Sequence, residues 1–150
     1  LMAREGASVR LTSRTLDGAE RTCRYLEARF GVPIEPVAAP DPEAIRGALT
    51  GMDTVVAAGK AGVPLLTQED WQGHPTIRTL ADVNTSPPPG IEGVDVMARG
   101  ETHEAARIFG GIGIGALKLR LHRACIGALF ETNDAVLGTE RIYDIAKEML

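Results

Sequence analysis

The chain has 150 residues, 44% hydrophobic and 24% charged, the make-up of a globular domain long enough to bury a sizeable core. A net charge of −4 and an aromatic content of 4% provide neither the basic field nor the stacking rings that nucleic acid or anionic lipid would require. There is no apolar run of the ~18 residues a membrane span needs, and no apolar stretch of a secretory leader. The two cysteines, Cys23 and Cys125, form no CxxC unit and are expected to be reduced core residues of a cytoplasmic protein.

Residues 1–7 read as the last turn of a helix stopped by Gly6, so the chain is expected to lack an upstream portion. Residues 8–12 alternate as a short strand does. Leu16, Ala19, Cys23, Leu26 and Phe30 then recur at steps of three and four, one apolar helix face ending at Gly31. Residues 34–37 suit a second strand. Asp41 followed by Pro42 marks a helix start, and that short helix ends near Gly51. Residues 53–59 form a compact, buried-type central strand ending in Gly59, 65–71 a short helix, and 77–83 another strand. Asn84 and Pro87-Pro88-Pro89-Gly90 follow as loop, because proline removes donors and fixes φ. A glycine-rich stretch, residues 110–115, leads into a helix over 116–131, and a final helix starts with Thr139 as its N-cap.

Strands alternating with helical patterns imply an α/β domain, a Rossmann-type, mostly parallel sheet with helices on both faces. Such sheets bind ligands beyond the carboxyl ends of their strands. Ser13 and Arg14 follow the first strand, where a dinucleotide fold meets the adenosine ribose. No acid stands there to select a 2′-hydroxyl, whereas a guanidinium suits a 2′-phosphate; a solvated loop arginine is the alternative. Ala58 and Gly59 are small enough for close approach of a cofactor, and Gly59 can take positive φ. Lys60 beside them either meets an anion or is simply exposed. Asn84 either holds a ribose hydroxyl or a nicotinamide carboxamide, or forms a turn. Lys118 stands in the first turn of the long helix, where a cation opposes the helix dipole and a ligand would explain it. His122 shares its face. His74 and His103 have no ligand-spaced partners, so no metal site is expected, and no nucleophile–base set or acid–base pair is visible.

Several of these stretches together resemble one family. Ala81-Asp82-Val83-Asn84 with residues 87–95 is similar to the loop of the NADP-dependent methylene-tetrahydromethanopterin dehydrogenases of methylotrophic one-carbon oxidation, some of which also accept methylenetetrahydrofolate. Gly-Ile-Gly-Ala-Leu-Lys-Leu-Arg-Leu-His-Arg-Ala-Cys-Ile at 113–126 and Ile-Tyr-Asp-Ile-Ala-Lys-Glu-Met at 142–149 resemble the family's carboxyl-terminal blocks. The resemblance implies that residues 1–150 are most of an NADP-binding Rossmann-type domain, truncated at its first strand and glycine-rich pyrophosphate loop and lacking the pterin-binding domain. It implies cofactor contacts at Ser13 and Arg14 (2′-phosphate), Ala58, Gly59, Asn84 and Lys118; Lys118 is a candidate for a catalytic role, His122 a weaker one, and no metal is expected. Lys60 departs from the family's small or apolar residue.

The implied reaction is hydride transfer from the methylene bridge of the reduced pterin to NADP, with NAD a second candidate. The product is a stabilised methenyl cation, so catalysis is chiefly positioning, and no general base is required. The fragment alone would be inactive, and the full-length enzyme a homo-oligomer. The rival readings are another two-domain dehydrogenase, of the shikimate or bifunctional folate type, and a non-catalytic interaction module with the same fold.

Overall fold

A computed structural model describes residues 1–149. A 3-10 turn, Met2–Glu5, is closed by Gly6 at φ 91 and leads to strand β1, Arg10–Ser13. Helix α1, Leu16–Phe30, starts where the Thr15 hydroxyl accepts from the Gly18 N–H at 3.2 Å and stops at Gly31. Of its expected apolar face, Ala19 and Cys23 are buried, Leu26 and Phe30 half-buried and Leu16 exposed. Strand β2, Glu35–Ala38, leads to helix α2, Pro42–Leu49, whose Asp41 cap accepts from the Ala44 N–H at 2.9 Å. Then come β3, Thr54–Ala57, a one-turn helix α3, Gln68–Trp71, and β4, Thr79–Asp82.

The sequence reading contained no strand between residues 84 and 115. The structure has a hairpin there: β5, Arg99–His103, and β6, Ala106–Gly110. Helix α4, Gly115–Leu129, and helix α5, Thr139–Glu148, complete the chain. Thr139 is the first helical residue of α5 and not its cap. Gly138 already supplies the extended backbone of the cap position, and no side chain bonds the free N–H groups there.

Two sheets result. β1 and β2 pair in parallel, and β3-β4-β6-β5 form the second sheet, parallel except for β5. This is the expected α/β, mostly parallel architecture, divided at one point. On the β2 side, the Val9 and Ser13 carbonyls accept from the Glu35 and Ala39 N–H groups, so those of Arg10 and Thr12 point the other way. On the β4 side, the Asp53 carbonyl accepts from the Arg78 and Thr79 N–H groups and the Ala57 carbonyl from the Val83 N–H, so those of Thr54 and Val56 also point away from their sheet. No strand pairs with either edge among the described residues. A cleft of about 730 Å³ opens between them at the amino ends of the strands, with Ser8, Val9 and Arg10 on one side and Gly51 and Met52 on the other. The expectation that β3 is a buried central strand therefore fails. Val56 is 50% exposed, and of the strand only Ala57 is buried.

The core lies under the four-stranded sheet, around Trp71, Ile77, Leu80 and Ile91. Each of these side chains contributes ~1.5–3 kcal/mol by leaving water. The Trp71 indole N–H donates to the Glu92 carbonyl at 2.9 Å, which ties α3 to the segment after the proline loop. Helix α4 packs on α5 and has no fully buried residue; Leu119, Ile126 and Phe130 are exposed on it or at its end.

Candidate functional site

The carboxyl ends of β1, β3, β4 and β6 each carry a loop, and the expected site residues stand on these loops. Ser13 ends β1, and its hydroxyl lies against the start of α1, where a Cβ on Gly18 would come within 2.9 Å of it. The Thr15 hydroxyl oxygen accepts from the Gly18 N–H and caps the helix. Arg14 between them is exposed and forms no ion pair or side-chain hydrogen bond among the described residues.

Ala58 and Gly59 follow β3 and are exposed. Gly59 does not take the positive φ that its position suggested; Gly62 does, at φ 73, and makes the turn. Gly59 is small for a packing reason, since a Cβ there would approach Leu65 Cδ1 to 2.9 Å. Lys60 is exposed.

Asp82 ends β4 and was not singled out from the sequence. It is 2% exposed, and among the described residues it is the buried charged one. One carboxylate oxygen accepts from the Asn84 N–H at 3.0 Å and the other from the Ile91 N–H at 2.9 Å. It therefore closes the proline loop from both ends. The Gly90 carbonyl accepts from the N–H groups of Leu65 and Leu66 at 2.8 and 3.1 Å, fastening this loop to the one after β3. Asn84 Nδ2 is buried and has no hydrogen-bond partner. Such a burial costs ~1–3 kcal/mol unless something offsets it.

The turn after β6 packs on the same place. A side chain at Gly110 would collide with the backbone of Asp95 and Val96, and one at Gly113 with the backbone of Ala98. At Gly111 a Cβ would lie 2.9 Å from the Val83 carbonyl oxygen. These close approaches seat the turn against the root of the Asn84 loop, and α4 begins directly after it. Lys118 in the first turn of α4 is exposed, with no acid in that turn and no ion pair among the described residues. His122 is exposed as well.

The fold thus brings the loops of Ala58–Gly59 and Asn84 together with the turn before Lys118, on one sheet. Ser13 and Arg14 stand on the other. The 730 Å³ cleft lies at the opposite, amino end and does not coincide with these loops. No group of three or more His, Cys, Asp or Glu residues among the described residues suits a metal ion, and no helix there is long and apolar enough to cross a membrane. Among the described residues Arg14 and Lys118 are exposed and unpaired, and the Asn84 Nδ2 is buried without a partner. Small residues beside them allow close approach.

No family model matches the chain. Two curated proteins of Methylorubrum extorquens are similar to it. One is the bifunctional protein MdtA, 42% identical over 145 residues, which cover 97% of this chain and 50% of the relative. The other is an NAD(P)-dependent methylenetetrahydromethanopterin dehydrogenase, 40% identical over 118 residues, 77% of this chain and 38% of the relative. The chain spans about half the length of the first relative and less of the second.

Proposed function

We propose, on the premise that this chain is related to the methylenetetrahydromethanopterin dehydrogenases, that it is the nucleotide-binding portion of an oxidoreductase that passes a hydride from the methylene bridge of a reduced pterin to NADP. The pterin is methylene-tetrahydromethanopterin or methylenetetrahydrofolate, and the setting is one-carbon metabolism. The observation that carries the reading is the gathering of the β3 and β4 loops and the turn after β6 at the carboxyl end of a parallel sheet, around a free Asn84 amide. That is where an open α/β sheet takes its ligand.

The residues fit a nicotinamide nucleotide. Bound there, it supplies the hydride acceptor. Arg14 is an unengaged guanidinium for a 2′-phosphate, with the Ser13 hydroxyl beside it. Ala58 and Gly59 leave the strand end open to a close approach. Asn84 fixes the nicotinamide end, and Lys118, on the helix that follows the glycine turn, faces an anion or polar ring near the same end. The oxidation needs no side-chain base, so these residues act by binding and orienting.

The divided sheet supports a further part of the reading. The bare edges of β1 and β3 suit one parallel strand between them, which would restore the continuous sheet of a Rossmann-type domain and bring a phosphate loop to its carboxyl end. The assembled enzyme is cytoplasmic and oligomeric in this reading.

The test is a dehydrogenase assay of the full-length protein with both pterins and both nucleotides. Reduction of NADP⁺, faster than of NAD⁺, with at least one methylene pterin is expected. A folded protein that reduces neither nucleotide with either pterin would overturn the proposal.

A further inference from the structure

Asn84 has two chemically different ends that are nearly identical in shape, so packing alone does not decide which one faces a ligand. Charge does. Asp82 is 2% exposed, and no cation pairs with it among the described residues. Its partners are the backbone N–H groups of Asn84 and Ile91. Both the carboxylate and the Asn84 side chain press against Gly90. A Cβ there would lie 2.6 Å from Asn84 Nδ2, and 3.0 and 3.3 Å from the two oxygens of Asp82. The positive, nitrogen end of the amide therefore shares a water-excluded space with a full negative charge. Turning the amide over would place its carbonyl oxygen there instead, and in a poorly screened interior that arrangement is repelled. Nδ2 is accordingly buried. Oδ1 is not among the buried unpaired atoms, and among the described residues the hydrogen bond at Asn84 with a side chain is that of its backbone N–H to Asp82.

We infer that Asp82 is a positioning residue, which holds the Asn84 amide so that its carbonyl oxygen faces the site and accepts a hydrogen bond from an N–H of the ligand. The inference rests on the reading of the site as a nicotinamide pocket. At the nicotinamide end of such a nucleotide the group that donates an N–H is the primary carboxamide. Gly90 is part of the device, because any side chain there would push the amide away from the carboxylate.

The experiment compares NADP⁺ with its 3-acetylpyridine analogue, in which a methyl ketone replaces the carboxamide and no N–H remains. Dissociation constants for both are measured on the full-length protein, as wild type, Asp82→Asn and Asn84→Ala. Wild type is expected to bind the carboxamide about ten-fold better, the scale of one hydrogen bond. In both variants that ratio is expected to fall towards one. A merely structural role for Asp82 would weaken both nucleotides together and keep the ratio. If Asp82→Asn does not fold, Gly90→Ala reads the same contact from the other side, and its ratio is likewise expected to collapse. A wild type that binds both nucleotides equally, or variants that keep the ten-fold ratio, would overturn the inference while leaving the nucleotide reading standing. A folded wild type that binds neither overturns that reading itself.

Discussion

Replacing Arg14 by alanine separates nucleotide choice from nucleotide binding. The side chain is exposed and holds nothing in the protein, so its removal should leave stability within ~0.5 kcal/mol of wild type. Its neighbours cannot replace the charge. Ser13 and Thr15 offer only neutral hydroxyls, the latter also accepting from the Gly18 N–H, and neither supplies a second positive charge. A lost hydrogen bond to a charged group costs about 1.5–3 kcal/mol, and an open, solvated loop argues for the low end. With ~1.4 kcal/mol to each factor of ten, the Michaelis constant for NADP⁺ should rise about ten-fold or somewhat more. NAD⁺ has no 2′-phosphate, and its constant should stay within about two-fold of wild type. Steady-state kinetics of the full-length protein with each nucleotide give both numbers, and a melting curve checks the fold. Equal losses for NADP⁺ and NAD⁺, or no loss for either, would refute the assignment of Arg14 to the 2′-phosphate.

Two other expectations follow from features away from Arg14. Lys118→Ala should lower turnover or nucleotide affinity about ten-fold in the full-length protein, one lost polar contact; wild-type kinetics would show that Lys118 is a surface residue. Asp70 gives a pH dependence. Burial alone would raise its carboxyl pKa, but it accepts from the Thr67 N–H and hydroxyl, both at 2.8 Å, and pairs with Arg46 at 3.2 Å, and together these hold it below the usual value. A carboxyl with a lowered folded pKa adds stability above its unfolded value, ~4, and that stability is lost as pH falls through the folded value. Asp70→Asn should therefore melt ~2–4 °C lower at neutral pH, about 1 kcal/mol for a chain of this size. The difference should close as pH falls below about 4. A gap that stays constant down to the acid limb would refute the linkage.

Much of the framework was legible because local chemistry announces it. Asp41 before Pro42, Gly31 after an apolar face and the proline run after β4 each mark a boundary that the chain respects. The β5–β6 hairpin escaped for a physical reason. Ala106 and Ile108 alternate with Arg107 as an inward and outward pattern should, but the turn before them places Glu104, not a glycine, at φ 53. No turn residue signalled the reversal. The extent of β3 was misread because Val55 and Val56 have the composition of a buried strand, whereas exposure depends on what stands beside them. Asp82 was invisible for a related reason. Its two donors are separated by the whole proline loop, so its importance exists only once that loop has closed.

The division of the sheet puts the two ends of the proposed nucleotide site on separate supports. Arg14 travels with β1, and Asn84 travels with β4. Among the links between those supports, the Arg10 guanidinium donates to the Thr50 carbonyl at 2.7 Å and to the Ala48 carbonyl at 3.3 Å. A ligand gripped at both ends therefore senses the spacing of the supports as well as the loops it touches. In the proposed reading a strand seated between β1 and β3 would set that same spacing, so its seating and nucleotide binding would be energetically coupled, and such coupling is reciprocal. Whatever factor the strand adds to nucleotide affinity, a bound nucleotide returns to the seating of the strand.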